Sequence, residues 1–284
     1  MITLRGEKIC MPVPCVLAVG KFECFHLGHR ALVSEIMQLV SGGIETQLAS
    51  ALVMFEPHPY RVLVDGGYKP LFTGYEREYL AGGLGVDYLL EYQFSRDFAA
   101  LKPEEFCRRI FEELRARVVV VGAGYRFGNK RAGTVDTLRQ MAKRYGVQVH
   151  VVGHHGAGVG EVKTSTSTIR ELLGAGKLAE AETLLGYPFF LMGCVTPGRR
   201  LGRTLGFPTI NLYPPAEKFL PADGAYASRV VLGGQCYNGV TNVGLRPTVE
   251  GAGAVRSVET HLFDYEGGEL YGEHVRVEFL RFIV

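Results

Sequence analysis

The sequence predicts two domains of different class: an α/β domain with a doubly wound parallel sheet, followed by a small all-β barrel. Three observations predict it. A length of 284 residues suits two domains at roughly 100–200 residues each. Between residues 16 and 152, strand-like and helix-like segments alternate, the order of parallel strands linked by crossover helices. After Gly186-Tyr187-Pro188 the pattern changes to short strands separated by Gly, Pro and Asn turns, with no convincing long helix. The domains are therefore expected at 1–186 and 187–284.

Taken in order, Val16 to Val19 reads as a short apolar strand, and His29 to Val40 carries helical apolar spacing. Leu48 to Phe55 reads as a strand that runs into the turn Glu56-Pro57-His58-Pro59, and Asp87 to Phe94 as another strand. Lys102 to Leu114 is expected to be a helix, with Pro103 and two glutamates in its first turn. Arg117 to Val121 is a β-branched run suited to a strand buried on both faces. Thr134 to Tyr145 is helical and Val147 to Val152 a strand; two short helices follow near Thr168 to Leu173 and Leu178 to Leu185. In the second domain, strands are expected at Phe190 to Val195, Ala225 to Leu232 and Val275 to Phe279.

Composition excludes several classes. A formal net charge of +2 gives no field for nucleic acid, so polyanions must be held by local groups. Cys10, Cys15, Cys24, Cys107, Cys194 and Cys236 form no CxxC pair, which leaves reduced thiols in a cytoplasmic protein as the expectation. No apolar run reaches the ~18 residues that span a bilayer. Arg5 and Lys8 precede a partly apolar stretch, Ile9 to Gly20, with the outline of a short signal peptide. Pro12 and Pro14 interrupt it and it leads straight to His26, so it is read as a strand entering an active site.

The chemistry-bearing residues fall in both halves. Gly20 to His29 contains His26-Leu27-Gly28-His29 between the first strand and the first helix. Free N–H groups and the helix dipole favour a phosphate there, two imidazoles can donate to charge growing on it, and Gly28 admits a close approach. The competing reading, surface or metal-binding histidines, fits the position less well. Thr164 to Arg170 can cap a helix through its hydroxyls or hold a triphosphate through Arg170, and the residues alone favour neither. Gly122 to Gly128 has GxGxxxG spacing and no acidic residue closing the next strand, which rejects a dinucleotide fold; no GxxxxGK[ST] loop is present. In the second half, glycines recur at Gly198, Gly202 and Gly206 around Arg203, a loop able to fold over phosphates. Thr209 offers a hydroxyl and Asn211 an amide oxygen to Mg²⁺.

Together, Gly20 to His29, "ALVMFEPHP", "VVVVGAGYRFGNKRAG" and "STSTIRELL" resemble the adenylyltransferase module of prokaryotic FAD synthetases, within the wider HxGH nucleotidyltransferases. "GRTLGFPTIN" resembles the riboflavin kinase signature. "NGVTNVGLRPTVEG" and "SVETHLFDYEGGELYG" resemble its nucleotide-contacting and catalytic-glutamate segments. The resemblance, from about residue 13 to the end, implies a bifunctional riboflavin kinase/FMN adenylyltransferase that takes ATP, riboflavin and FMN and uses Mg²⁺, with no nucleic acid or membrane partner. It implies that His26 and His29 stabilise the adenylyl transition state, with Gly20, Phe22, Gly28, Ser167 and Arg170 at the nucleotide. It implies that Glu259 takes the proton of the ribityl hydroxyl, with Gly198, Gly202, Arg203, Gly206, Asn242 and Arg246 as binding residues and Thr209 and Asn211 at the metal.

The sequence departs from the family at three places. Glu23 and Cys24 stand where Asp and Gly are usual, and Gly124 replaces a polar residue before the aromatic. The family usually continues past the position of Val284 into a helix that closes the flavin site. These departures define the alternatives: an adenylyltransferase with an inactive kinase barrel, the converse, or a flavin-binding regulator without catalysis.

Overall fold

The computed structural model describes residues 1–42, 48–64, 67–153, 164–197, 209–247 and 254–284. It divides into two compact units. The first comprises Met1–Tyr68 and Arg77–Lys163, the second Lys69–Glu76 and Thr164–Val284. The short helices that end the predicted first domain thus pack with the second unit, as does the excursion 69–76.

In the first unit the strands are β1 (Ile2–Gly6), β2 (Cys15–Val19), β3 (Ala49–Glu56), β4 (Tyr88–Gln93), β5 (Ala116–Gly122) and β6 (Gln148–Val152). They form one sheet in the order β1-β4-β3-β2-β5-β6, with every pairing parallel. All five residues of β2 are buried, as a strand covered on both faces requires. Cys15, Leu17 and Val19 join a core with Phe106, Ile110, Leu138 and Ala142 on one face. Helix α1 (Leu27–Ser41) buries Leu32, Val33 and Ile36 outside that cluster, and packs on β2, β3 and β5. The predicted doubly wound sheet is therefore present, with its switch point between β2 and β5. Ligands of such sheets bind beyond the strand ends at this place.

Three details differ from expectation. Edge strand β1 was not predicted: it has five residues, two of them exposed, too few to show a period. The helices α2 (Pro59–Leu63), α3 (Gly74–Gly82) and α4 (Arg96–Ala99) were not predicted either; the first and last are little more than one turn. The helix expected from Lys102 to Leu114 is α5 (Pro103–Arg108) followed by one wider π turn, Arg109–Glu113. Helix α6 (Val135–Tyr145) is capped by Thr134 and stopped by Gly146 at φ +65°, as its sequence indicates.

The second unit holds α7 (Thr166–Gly174), α8 (Leu178–Leu185) and the strands β7 (Phe190–Cys194), β8 (Thr209–Leu212), β9 (Gly224–Leu232), β10 (Gln235–Pro247), β11 (Ala254–Leu262) and β12 (His274–Phe282). The sheet is antiparallel in the order β7-β12-β9-β10-β11-β8. Its two edges curl together: the Thr196 N–H, just past β7, donates to the Asn211 carbonyl of β8 at 2.9 Å. Closure removes exposed strand edges, the expected solution for a small all-β unit. The excursion 69–76 is locked to this unit by a fully buried ion pair. Lys218 Nζ lies 2.7 Å from Glu76 Oε2 and also donates to the Leu71 carbonyl, while Glu76 Oε1 accepts from the Met192 N–H at 2.9 Å.

Candidate active sites

At the switch point, the chain from β2 to α1 runs through two strained residues. Phe22 and Phe25 have φ of +41° and +42°, a region costly for bulky side chains. Their rings are fully buried and stacked with centroids 5.4 Å apart, which holds the strained loop in place. A Cβ at Gly20 would meet the Phe22 ring at 3.0 to 3.2 Å, and one at Gly28 would meet the His26 ring at 3.2 to 3.3 Å. A side chain at either position would therefore crowd the ring beside it. Cys24 is not among the residues with positive φ, so the glycine usual at its place has no conformational task here.

His26 caps α1, its Nδ1 accepting from the His29 N–H at 3.3 Å. That bond places the proton of the neutral His26 ring on Nε2, free to donate outward. His29 stacks on His26 with centroids 3.8 Å apart, and Phe22 presses on His29 at 5.0 Å. The buried Nδ1 of His29 has no hydrogen-bond partner among the described residues. Burial pushes His26 down to about 4, and burial followed by the charges of His26 and Lys21 holds His29 well below its ordinary value. The arrangement is two neutral N–H donors at the positive end of a fifteen-residue helix, suited to a phosphate that gains charge during reaction.

Beside it, Glu23 is buried, accepts a short hydrogen bond from the Tyr68 hydroxyl and lies 3.3 Å from His58 Nε2. Lys21 Nζ sits 3.8 Å over the Tyr60 ring, and this neighbour lowers the Tyr60 hydroxyl. The loop after β5 brings Tyr125 and Phe127 into a stack at 5.5 Å. Sequence reasoning assigned no role to His58, Tyr60 or Tyr68; only the "EPHP" turn pointed to the first. Ser167 and Arg170 belong to the second unit. Ser165, not Ser167, caps α7 by accepting from the Thr168 N–H; Ser167 is exposed in the first turn. Arg170 donates to the Lys69 carbonyl at 2.5 Å and lies 4.9 Å over the Phe219 ring.

In the barrel, strand register does the assembling. Glu259 on β11 pairs with Asn211 on β8 and with Asn242 on β10, so all three share one face. Thr209, two residues before Asn211, shares that face and donates from Oγ1 to Glu259 Oε1 at 2.7 Å. Asn211 is 3% exposed, and its buried Oδ1 has no hydrogen-bond partner among the described residues. Its backbone carbonyl carries the Thr196 contacts that close the barrel. An orphaned amide oxygen beside a hydroxyl and a carboxylate is a hard donor set, which fits Mg²⁺. Among the described residues no group of three His, Cys, Asp or Glu could hold a metal ion. Gly198, Gly202, Arg203 and Gly206 lie outside the described residues, as does the side chain of Arg246, whose backbone pairs with Val255.

Comparison with known proteins finds two family matches along the chain. A family model described as FAD synthetase matches residues 10–167, and one described as riboflavin kinase matches residues 185–284. A bifunctional riboflavin kinase/FMN adenylyltransferase of Escherichia coli (strain K12) is 37% identical over 284 residues, covering 98% of this chain and 88% of that relative. The protein of the same name from Bacillus subtilis (strain 168) is 32% identical, covering 94% and 83%. A crystal structure titled as a macrolide-efflux protein from Streptococcus pneumoniae superposes with a TM-score of 0.87 at 28% identity, covering 100% of this chain and 91% of that one. Among the described residues, no helix is long and apolar enough to cross a membrane.

Proposed function

Since the chain belongs to the bifunctional riboflavin kinase/FMN adenylyltransferase family, we propose that the His26–His29 pair transfers AMP to FMN and that the Thr209–Asn211–Glu259 face phosphorylates riboflavin. The protein makes FMN from riboflavin and ATP, then FAD from FMN and a second ATP. The carrying observation is that His26 stacks on His29 within the first unit, while Thr209 bonds to Glu259 beside Asn211 within the second.

In the first reaction the ribityl 5′-hydroxyl attacks the γ-phosphorus of ATP, the bond from that phosphorus to the β–γ bridging oxygen breaks, and ADP leaves. Glu259 accepts its proton, and the Thr209 hydroxyl orients the carboxylate that does so. Asn242 lines the same face, where the nucleotide would lie. Gly198, Gly202, Arg203, Gly206 and Arg246 are proposed to hold ATP and flavin on the resemblance alone. Thr209 and Asn211 would hold Mg²⁺, which supplies charge neutralisation on the phosphates.

In the second reaction a phosphate oxygen of FMN attacks the α-phosphorus of ATP and pyrophosphate leaves. His26 Nε2–H and His29 donate to the oxygens that gain charge, while Gly20, Phe22 and Gly28 shape the backbone around them. Ser167 and Arg170 are proposed to bind the triphosphate. Of the sequence departures, Cys24 is accommodated without strain at its own φ, and Glu23 has partners in a buried cluster. The catalytic assignment follows the boundary at 186/187. Six free thiols suit the cytoplasm as the place of action.

Isotope placement tests the reading. ATP labelled at the γ-phosphate should pass label to FMN, and ATP labelled at the α-phosphate should pass it to FAD. FAD without α-label would contradict the adenylyl transfer.

A further inference from the structure

Glu23 is buried in the middle of the loop that carries the two histidines, 2% exposed, between the strained residues Phe22 and Phe25. Two groups from a distant stretch of the first unit converge on its Oε2: the Tyr68 hydroxyl, which donates to it, and the His58 ring, whose Nε2 lies 3.3 Å away. The His58 tautomer is set from the other side. Its Nδ1 accepts the Tyr60 N–H at 3.3 Å as the cap of α2, so the neutral ring carries its proton on Nε2, facing Glu23. His58 and Tyr68 also stack on each other, centroids 4.9 Å apart and planes 17° from parallel. The cluster is thus held by two strands of contact, polar through the carboxylate and apolar through the rings.

We propose that Glu23, His58 and Tyr68 are positioning residues for adenylyl transfer: they pin the loop so that Phe22 packs against His29 and keeps the imidazole pair stacked. The proposal rests on the adenylyltransferase reading of that pair. Phe22, next to Glu23, touches the His29 ring at 5.0 Å, and Phe25 is tied back to α1 by the Arg30 Nε–H donating to its carbonyl at 3.2 Å. The positive φ values at Phe22 and Phe25 must be over-determined by their surroundings to persist, and the buried carboxylate between them supplies such a tether. Reach is the property that matters. An aspartate would withdraw the carboxylate by about 1.5 Å from the Tyr68 hydroxyl and the His58 ring, whereas a glutamine keeps an oxygen where Oε2 stands.

The test compares Glu23→Asp, Glu23→Gln and Tyr68→Phe with the unaltered chain. FAD formation from FMN, FMN formation from riboflavin and the thermal midpoint are measured for each. Misplacing a catalytic pair without removing it lowers kcat by about tenfold to a hundredfold. The expected result is that loss in kcat for FAD formation in Glu23→Asp, with the KM for ATP within about twofold and the riboflavin kinase rate unchanged. Tyr68→Phe should fall in the same direction, and Glu23→Gln should retain more activity than Glu23→Asp. Unchanged kcat in Glu23→Asp and Tyr68→Phe, or a parallel fall of both reactions, overturns the proposal. So does an Asp variant that outperforms the Gln variant, because charge and not reach would then govern. Failure of the unaltered chain to make FAD from FMN would instead remove the adenylyltransferase reading on which the proposal rests.

Discussion

His26 and His29 stack 3.8 Å apart with planes 13° from parallel, an arrangement that two imidazolium ions could not share in a shielded site. Both rings are therefore neutral near pH 7, with His26 at about 4 and His29 well below 6.5. The unfolded chain binds their protons more readily. Stability from the neutral pair is complete above the unfolded value near 6.5 and is lost as pH falls toward 4. For His26 alone the loss between pH 7 and pH 5 is about 2 kcal/mol. Urea unfolding at the two pH values should show the first unit weakened at pH 5, and the weakening should shrink in a His26→Gln variant. Equal loss in that variant would assign the acid sensitivity elsewhere.

The two sites should separate by substitution. His29→Ala removes a transition-state donor and should cut FAD formation by roughly a hundredfold or more while sparing FMN formation. Glu259→Ala removes the proton acceptor and should cut FMN formation by roughly a hundredfold while sparing FAD formation from supplied FMN. A crossed effect in either variant would contradict the domain assignment.

Asn211 combines a buried, unpartnered Oδ1 with a carbonyl that closes the barrel. Asn211→Ala removes only the former. The Mg²⁺ concentration for half-maximal kinase rate should rise by about tenfold, with adenylylation at its former rate. An unchanged Mg²⁺ dependence would exclude this amide as a ligand.

The Lys218–Glu76 pair is fully buried, so breaking one partner strands the other charge. Lys218→Met should destabilise the second unit by about 3–5 kcal/mol in chemical denaturation. Adding Glu76→Gln should recover part of that loss. A single variant as stable as the parent would mean that the buried carboxylate finds relief elsewhere.

Much of this was legible in the chain. Buried parallel strands announce themselves as apolar runs, which is why β2 and β5 were read nearly residue for residue. The histidine pair was legible because its spacing coincides with a strand-to-helix junction. The barrel was harder: β8, β10 and β11 were not read as strands. Asn238-Gly239 looks like a hairpin turn but lies inside β10, where a Cβ at 239 would collide with the His261 carbonyl. The Glu23 cluster was invisible for another reason. Glu23, His58 and Tyr68 are brought together only by the folded first unit, and nothing local in the sequence links them. The second unit's capture of residues 69–76 depends on Lys218, 142 positions from Glu76, and carries no periodic signal.

Two working sites on one chain require two separable products. Product analysis tests this most directly: purified protein with ATP and Mg²⁺, given either riboflavin or FMN, with FMN and FAD separated by chromatography. FAD is expected from both substrates, with FMN appearing first when riboflavin is supplied. FAD from FMN but no product from riboflavin would contradict this, leaving the face of Thr209, Asn211 and Glu259 without the kinase activity assigned to it.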